Sequence, residues 1–284
     1  MNLKNTGLVL EGGGLRGVFT SGVLRYLMEN EIYFPYVIGV SMGACNAANY
    51  LSKQIGRNKK VNIDFVNDPR YLSYKRLIFN GELFGMDFIF DTIPNQLVPF
   101  DYETFYNSDQ QNWTVATDCI SGEAVYYENK KVDKAYLKIL QASASLPFIS
   151  QPVKYDGKIL MDGGLSDSIP IKKSIAQGNT KNVVILTRPR DYRKEASHVY
   201  RLAKFRYPRF KGLHQCLKNR WKVYNETLDF LEKLEAENKV FVLRPEMNLD
   251  IKKAERNKQR LYKCYDIGYR TMKDKIEELL NFLS

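Results

Sequence analysis

Two short stretches near the start, GLVLEGGGLRG over 7–17 and VIGVSMGACNA over 37–47, constrain the fold more than anything else in the chain. In each, an apolar run as long as a buried strand ends on glycines and gives way at once to a helical pattern. Residues 7–10 read as the first strand and 18–30 as its helix, with Val23, Leu24, Leu27 and Met28 on one face. Residues 36–40 and 42–52 repeat the pair. Strand, loop, helix, strand, turn, helix is the rhythm of a parallel α/β sheet.

Further strands are expected over 113–116, 124–127, 183–187 and 240–243, and KILMDGG supplies one more before Asp162. A small-residue helix over 134–145, containing QASAS, stops before Pro147. Two long amphipathic helices are expected in the tail. One, over 217–237, carries Leu217, Trp221, Tyr224, Leu228 and Leu231 on a stripe; the other, over 252–283, carries Leu261, Tyr265, Tyr269, Met272, Ile276 and Leu279.

Ser41 lies between Gly39 and Gly43, in the GxSxG pattern that presents a nucleophile on a sharp strand-to-helix turn. A serine at a helix start can also be only a cap. The order Ser41, Asp162, His198 or His214 matches that of α/β-hydrolases. Both histidines, however, sit in the basic stretch HVYRLAKFRYPRFKGLH and read as parts of a solvated face. Asp162, followed by two glycines that leave its carboxylate unobstructed, is the better base, with Asp118 as its rival. A carboxylate of ordinary pKa, about 3.9, matches a serine hydroxyl poorly. Burial can raise it, and an oxyanion hole can carry the stabilisation the weak base does not.

Gly12, Gly14 and Gly17 satisfy GxGxxG, a dinucleotide fingerprint, but the second strand ends on Ser41 where that reading needs an acid for the ribose. The alternative is that Gly12, Gly13 and Gly14 crowd backbone N–H groups around one oxyanion. Arg16 then adds charge to the anion or to the structure around it.

EGGGLRG, GVSMG and DGG in this order, with ASASLPFISQPV before the acid, resemble the three motifs of the patatin-like phospholipase family over residues 6–175. The resemblance implies a three-layer α/β/α fold with a mostly parallel central sheet. It also implies a Ser41–Asp162 dyad with Gly12, Gly13, Gly14 and Arg16 around the oxyanion, and ester hydrolysis through an acyl-enzyme with no cofactor and no metal. The substrate is then a lipid or other acyl ester. An esterase for small acyl groups, or a lipid-binding protein with a vestigial site, are the alternatives.

The net charge of +11 is uneven: residues 1–187 hold 19 Lys and Arg against 18 Asp and Glu, and residues 188–284 hold 24 against 14. The shift divides the chain into a catalytic domain, 1–188, and a basic, mainly helical extension, 189–284, which either stands apart or packs on the same sheet. Over 188–222 cations interleave with Tyr192, Tyr200, Phe205, Tyr207, Phe210 and Trp221. That mixture fits peripheral contact with an anionic membrane better than nucleic acid, given the esterase motifs, although a solvated face that binds nothing has the same composition. Phe79, Phe84, Met86, Phe88, Ile89 and Phe90 either line an acyl channel or simply pack in the core. The four cysteines are too widely spaced for a metal site or a disulfide framework. No apolar run reaches the roughly 18 residues of a membrane span, and the first strand comes too early to leave room for a secretory signal, so a cytoplasmic location is expected.

Overall fold

The computed structural model describes residues 3–129 and 135–284. Its centre is one sheet in the order β5-β6-β3-β2-β1-β7-β8, with β4 paired to β3. The strands are β1 (Thr6–Leu10), β2 (Tyr36–Val40), β3 (Gln111–Asp118), β4 (Ala124–Glu128), β5 (Val153–Tyr155), β6 (Lys158–Asp162), β7 (Lys181–Ile185) and β8 (Val240–Leu243). From β3 through β8 the neighbours run parallel, whereas β4, β5 and β6 join antiparallel. The fold is mixed α/β with helices on both faces of the sheet.

Every residue of β1 and β2 is buried, as expected of central parallel strands covered on both sides. Successive side chains part company across the sheet. Leu8, Leu10, Val183 and Ile185 join the core on one face, and Val9, Ile38, Val40 and Val184 the core on the other. The first face is covered by α1 (Val18–Glu29), α2 (Met42–Leu51) and α3 (Tyr136–Ala144). The second is covered by α4 (Lys211–Ala236), whose Tyr224, Leu228, Leu231 and Leu234 are buried there.

The tail is woven into this core. It contributes β8, paired in register with β7 from Asn182↔Val240 to Ile185↔Leu243, and α5 (Lys258–Asp274), which crosses α1 at close range. A Cβ on Gly22 would stand 2.0 Å from Tyr265 O and one on Gly268 2.0 Å from Phe19 O, so the two backbones touch through paired glycines.

Several expectations need correcting. The helix anticipated over 252–283 is two, α5 and α6 (Ile276–Leu283), broken at Lys275. The first starts late because Asn257 caps it, accepting from Arg260 N at 3.1 Å, while Glu255 Oε1 takes the N–H groups of Arg256 and Asn257. Trp221, placed on the buried stripe of α4, is 38% exposed. The helix expected over 134–145 is seen as Tyr136–Ala144; Lys134 lies outside the described residues. Strand β5 was not anticipated, although Asp156-Gly157, with φ of 50° and 69°, is a standard hairpin turn.

Candidate active site

Strand pairing brings Ser41 and Asp162 together. β2 runs parallel to β3 and ends with Val40 opposite Val115. β6 runs antiparallel to β3 and ends with Asp162 opposite Ala116. Because β4 holds the other edge of β3 over the same residues, β2 and β6 share one edge and their C-terminal ends meet head-on. The residue after β2 is Ser41 and the last residue of β6 is Asp162.

Ser41 sits at φ 54° and ψ −124°, a conformation that non-glycine residues rarely adopt and that costs on the order of 1–3 kcal/mol. Its surroundings hold it there. A Cβ on Gly43 would lie 2.4 Å from Leu10 O and one on Gly39 2.6 Å from Ala44 N, so only glycine lets strand and helix pass this closely. Ser41 N–H donates to Ser143 Oγ at 2.8 Å, and that hydroxyl donates to Val115 O at 2.6 Å. Two residues on, Ser145 O accepts from Asp162 N–H at 2.8 Å. The end of α3 therefore fastens both residues, a role carried by the ASAS segment.

The glycine loop follows β1 and lies over Ser41. A Cβ on Gly12 would stand 3.2 Å from Ser41 Cβ, one on Gly13 2.8 Å from Thr187 Oγ1, and Gly14 has φ +57°. Glu11 anchors the loop. Its Oε2 accepts from Thr187 N–H at 2.6 Å and from Thr187 Oγ1 at 2.9 Å, and its Oε1 accepts from Tyr224 OH of α4 at 2.6 Å. Residues 14–17 form a tight turn into α1, and Leu15 N–H donates to Lys253 O at 3.1 Å. Arg16 is buried, and its Nε makes no hydrogen bond among the described residues. Burial, then the neighbouring Arg188, lower its pKa.

Asp162 is 3% exposed. Burial raises its pKa above the ordinary carboxylate range, against the opposing pull of Arg220, the Ser41 hydroxyl, the Gly164 N–H and Lys253. Its Oδ1 accepts from Gly164 N–H at 2.8 Å, and Arg220 Nε donates to Gly164 O at 2.5 Å.

Two pockets meet at Ser41. One, of about 930 Å³ with its mouth, is apolar, walled by Tyr71, Phe84, Met86, Ile89, Phe90 and Leu140 among others. The other, of about 470 Å³, is polar and holds the glycine loop, Asp162 and five cationic side chains. Ser41, Gly14, Leu146 and Lys253 line both.

Of the aromatic group, Phe84, Met86, Ile89 and Phe90 reach the apolar pocket. Phe88 instead packs edge-on against Phe65, and Phe79 is 76% exposed. Asp118 caps a turn through Ile120 N–H. His198 and His214 line neither pocket; His214 Nε2 is 2.9 Å from Tyr207 O. Cys45 does line the apolar pocket, but burial and then Asp162 push its thiol up to about 12, so it stays protonated. Ser143, Glu11, Arg188, Lys194, Arg220 and Lys253 were not singled out from the sequence; only the ASAS segment and the basic tail hinted at them.

The model of the patatin-like phospholipase family matches residues 8–174, and that of a domain of unknown function (DUF6363) matches residues 210–284. The uncharacterized protein YjjU of Escherichia coli K12 is 30% identical over 187 residues, 64% of this chain and 52% of YjjU. Lysophospholipase NTE1 of Cryptococcus neoformans is 26% identical over 202 residues, 66% of this chain and 12% of NTE1. The chain thus spans about half of the first relative and a small part of the second. VipD from Legionella pneumophila shares the fold, with a TM-score of 0.53 over 96% of this chain and 67% of that one, at 11% identity. With the family model covering more than half of its residues, the chain belongs to the patatin-like phospholipase family.

Proposed function

We propose that the protein is a serine lipid acyl hydrolase that cleaves fatty-acyl esters with a Ser41–Asp162 dyad. The observation that carries this reading is the head-on meeting of β2 and β6 on one edge of β3, at the junction of an apolar pocket and a glycine loop. Asp162 accepts the Ser41 proton as Oγ attacks the ester carbonyl. Backbone N–H groups of Gly12, Gly13 and Gly14, with the charge of Arg16 beside them, hold the oxyanion. Collapse expels the alcohol, which takes the proton from Asp162 and leaves an acyl-Ser41. Water then gives its proton to Asp162 and attacks the acyl carbon, freeing the fatty acid as Ser41 recovers its hydrogen. Burial supports the base, because a raised pKa brings the carboxylate closer to its task.

The apolar pocket accepts the acyl chain, and its volume of about 930 Å³ with its mouth and its apolar lining favour a lipid over a small acyl group. The catalytic stretch, 1–188, is completed by the basic extension, 189–284, whose residues wall the site. Of the 12 cations in 188–222, Arg188, Lys194 and Arg220 line the polar pocket and the rest are exposed. Leu202 and Phe205, 63% and 86% exposed, stand among those exposed cations. Arg206 in turn reaches towards Gly81, next to the exposed Ile78 and Phe79. This face rests on an anionic membrane, apolar side chains at headgroup depth and cations against phosphates. Among the described residues no helix is long and apolar enough to cross one.

Fluorophosphonate labelling and hydrolysis of a long-chain ester test the chemistry. Wild type is expected to label and turn over, Ser41→Ala to do neither, and Asp162→Asn to lose turnover. Turnover by Asp162→Asn at the wild-type rate would end the dyad. Equal flotation with anionic and neutral vesicles would end the membrane contact.

A further inference from the structure

The polar pocket has more positive charge than the reaction needs. Arg16, Arg188, Lys194, Arg220 and Lys253 line it, and three of the five, Lys194, Arg220 and Lys253, come from the basic extension. The two carboxylates present, Glu11 and Asp162, are already engaged, Glu11 by Thr187 and Tyr224 and Asp162 by Gly164 N–H. Among the described residues none of the five cations forms an ion pair within 4 Å. Arg16 is 8% exposed and its Nε is buried without a hydrogen-bond partner, and Arg188 Nε is in the same condition. Two buried guanidinium N–H groups in one pocket are costly unless something accepts from them.

Three of these side chains are held in place by neutral partners. Arg188 Nη1 donates to Asn248 Oδ1 at 3.0 Å and its guanidinium lies 4.5 Å from the Tyr192 ring centroid. The Lys194 ammonium lies 4.2 Å from the centre of Tyr224. Arg220 is fixed through Gly164 O. The result is a preorganised cluster of positive charge that reaches Ser41, where it meets the acyl pocket.

We infer that this pocket takes a phosphomonoester dianion carried on the substrate's alcohol side, so that the preferred substrate is an acyl glycerol phosphate and not a neutral or zwitterionic acyl ester. The inference rests on the hydrolase reading and deepens it. A phosphomonoester brings two negative charges and oxygens that accept from several N–H donors at once. A phosphocholine brings one phosphate charge together with a quaternary ammonium, which five cations repel. The crowding is visible in the lysines. Burial, then Arg220, lower Lys194 to about 7; burial of the ammonium end of Lys253, a residue exposed as a whole, and then Arg220 and Arg16 lower it to about 8. A bound dianion reverses that strain, so binding near pH 7.5 draws protons onto the protein.

The test compares kcat/KM on 1-oleoylglycerol 3-phosphate, 1-oleoylglycerophosphocholine and 1-oleoylglycerol in the same mixed micelles. Wild type should favour the phosphomonoester at least tenfold over either of the others. Arg188→Gln and Lys194→Met should each reduce that preference five- to tenfold, mainly through KM. Lys273→Met, which removes an exposed charge outside the pocket, controls for net charge and should keep it. Equal kcat/KM on the three esters, or a preference untouched in both pocket variants, overturns the inference while hydrolysis of 1-oleoylglycerol upholds the parent reading. Inorganic phosphate that inhibits without any preference among the esters marks a free-anion site and overturns it too. Should no ester be cleaved and Ser41 fail to label, the parent reading falls. Calorimetry with glycerol 3-phosphate against glycerol then decides the pocket: binding that Lys194→Met weakens upholds the phosphate site, and no binding ends it.

Discussion

Ser143 supports the nucleophile without touching substrate, and its removal should be felt in both stability and rate. The side chain is fully buried and bridges Ser41 N–H and Val115 O. Ser143→Ala strands a buried donor, Ser41 N–H, at about 1–3 kcal/mol, while the Val115 carbonyl loses one donor. Taking about 2 kcal/mol for the pair, and about 2–4 °C per kcal/mol for a protein of this size, the melting temperature should fall by about 4–8 °C. If about 1 kcal/mol of that loss is expressed as looser φ/ψ at Ser41, the labelling rate should fall about fivefold. Calorimetry and timed fluorophosphonate labelling read the two quantities. Ser145→Ala is the matched control: it removes a hydroxyl bonded to Gln141 O at 2.8 Å but keeps the carbonyl that Asp162 N–H uses, so its labelling rate should stay at the wild-type value. A Ser143→Ala protein that melts and labels like wild type would refute the idea that this hydroxyl holds the turn.

Other outcomes follow from the same geometry. Because burial raises the folded-state pKa of Asp162, its contribution to stability is full below the unfolded value and is lost as pH climbs through the folded one. Asp162→Asn should therefore melt higher than wild type at pH 7, with the gain vanishing near pH 4, even as turnover is lost. Met86→Ala and Phe90→Ala should lower kcat/KM on long acyl esters several-fold more than on short ones; equal losses would mean that these residues only pack. Gly268→Ala drives a methyl into the Phe19 carbonyl and should cost about 3 kcal/mol of stability, read by chemical denaturation.

What could be read from the chain was local. Gly39, Gly43 and Ser41 state a strand-to-helix turn in five residues, and the strand before Asp162 announces its own end. The continuous apolar runs of β1 and β2 announce burial on both faces. What could not be read depends on pairing between distant segments. Nothing in KILMD says that it will lie end to end with YVIGV on a third strand, and nothing in KVFVL says that the tail will extend the sheet. Trp221 fits a helical stripe from Leu217, yet it sits at the margin of the buried arc, and Leu213 and Leu234 complete the apolar face instead. The basic tail was legible as an excess of charge. Which of its cations would turn inward was not, because that depends on where α4 and the segment around Lys253 dock.

The meeting of two strands on one edge of a third makes the gap between nucleophile and base a matter of ladder arithmetic. It is set by one peptide unit, Val115 to Ala116, and can change only in whole-residue steps. A slip by one would also send every side chain of the moved strand to the opposite face of the sheet, into a core packed for other residues, so core packing and catalytic spacing stand or fall together. Surrounding loops are then free to lengthen, shorten or change charge while the two reacting groups stay in place, which is how one scaffold can exchange its headgroup chamber and keep its chemistry.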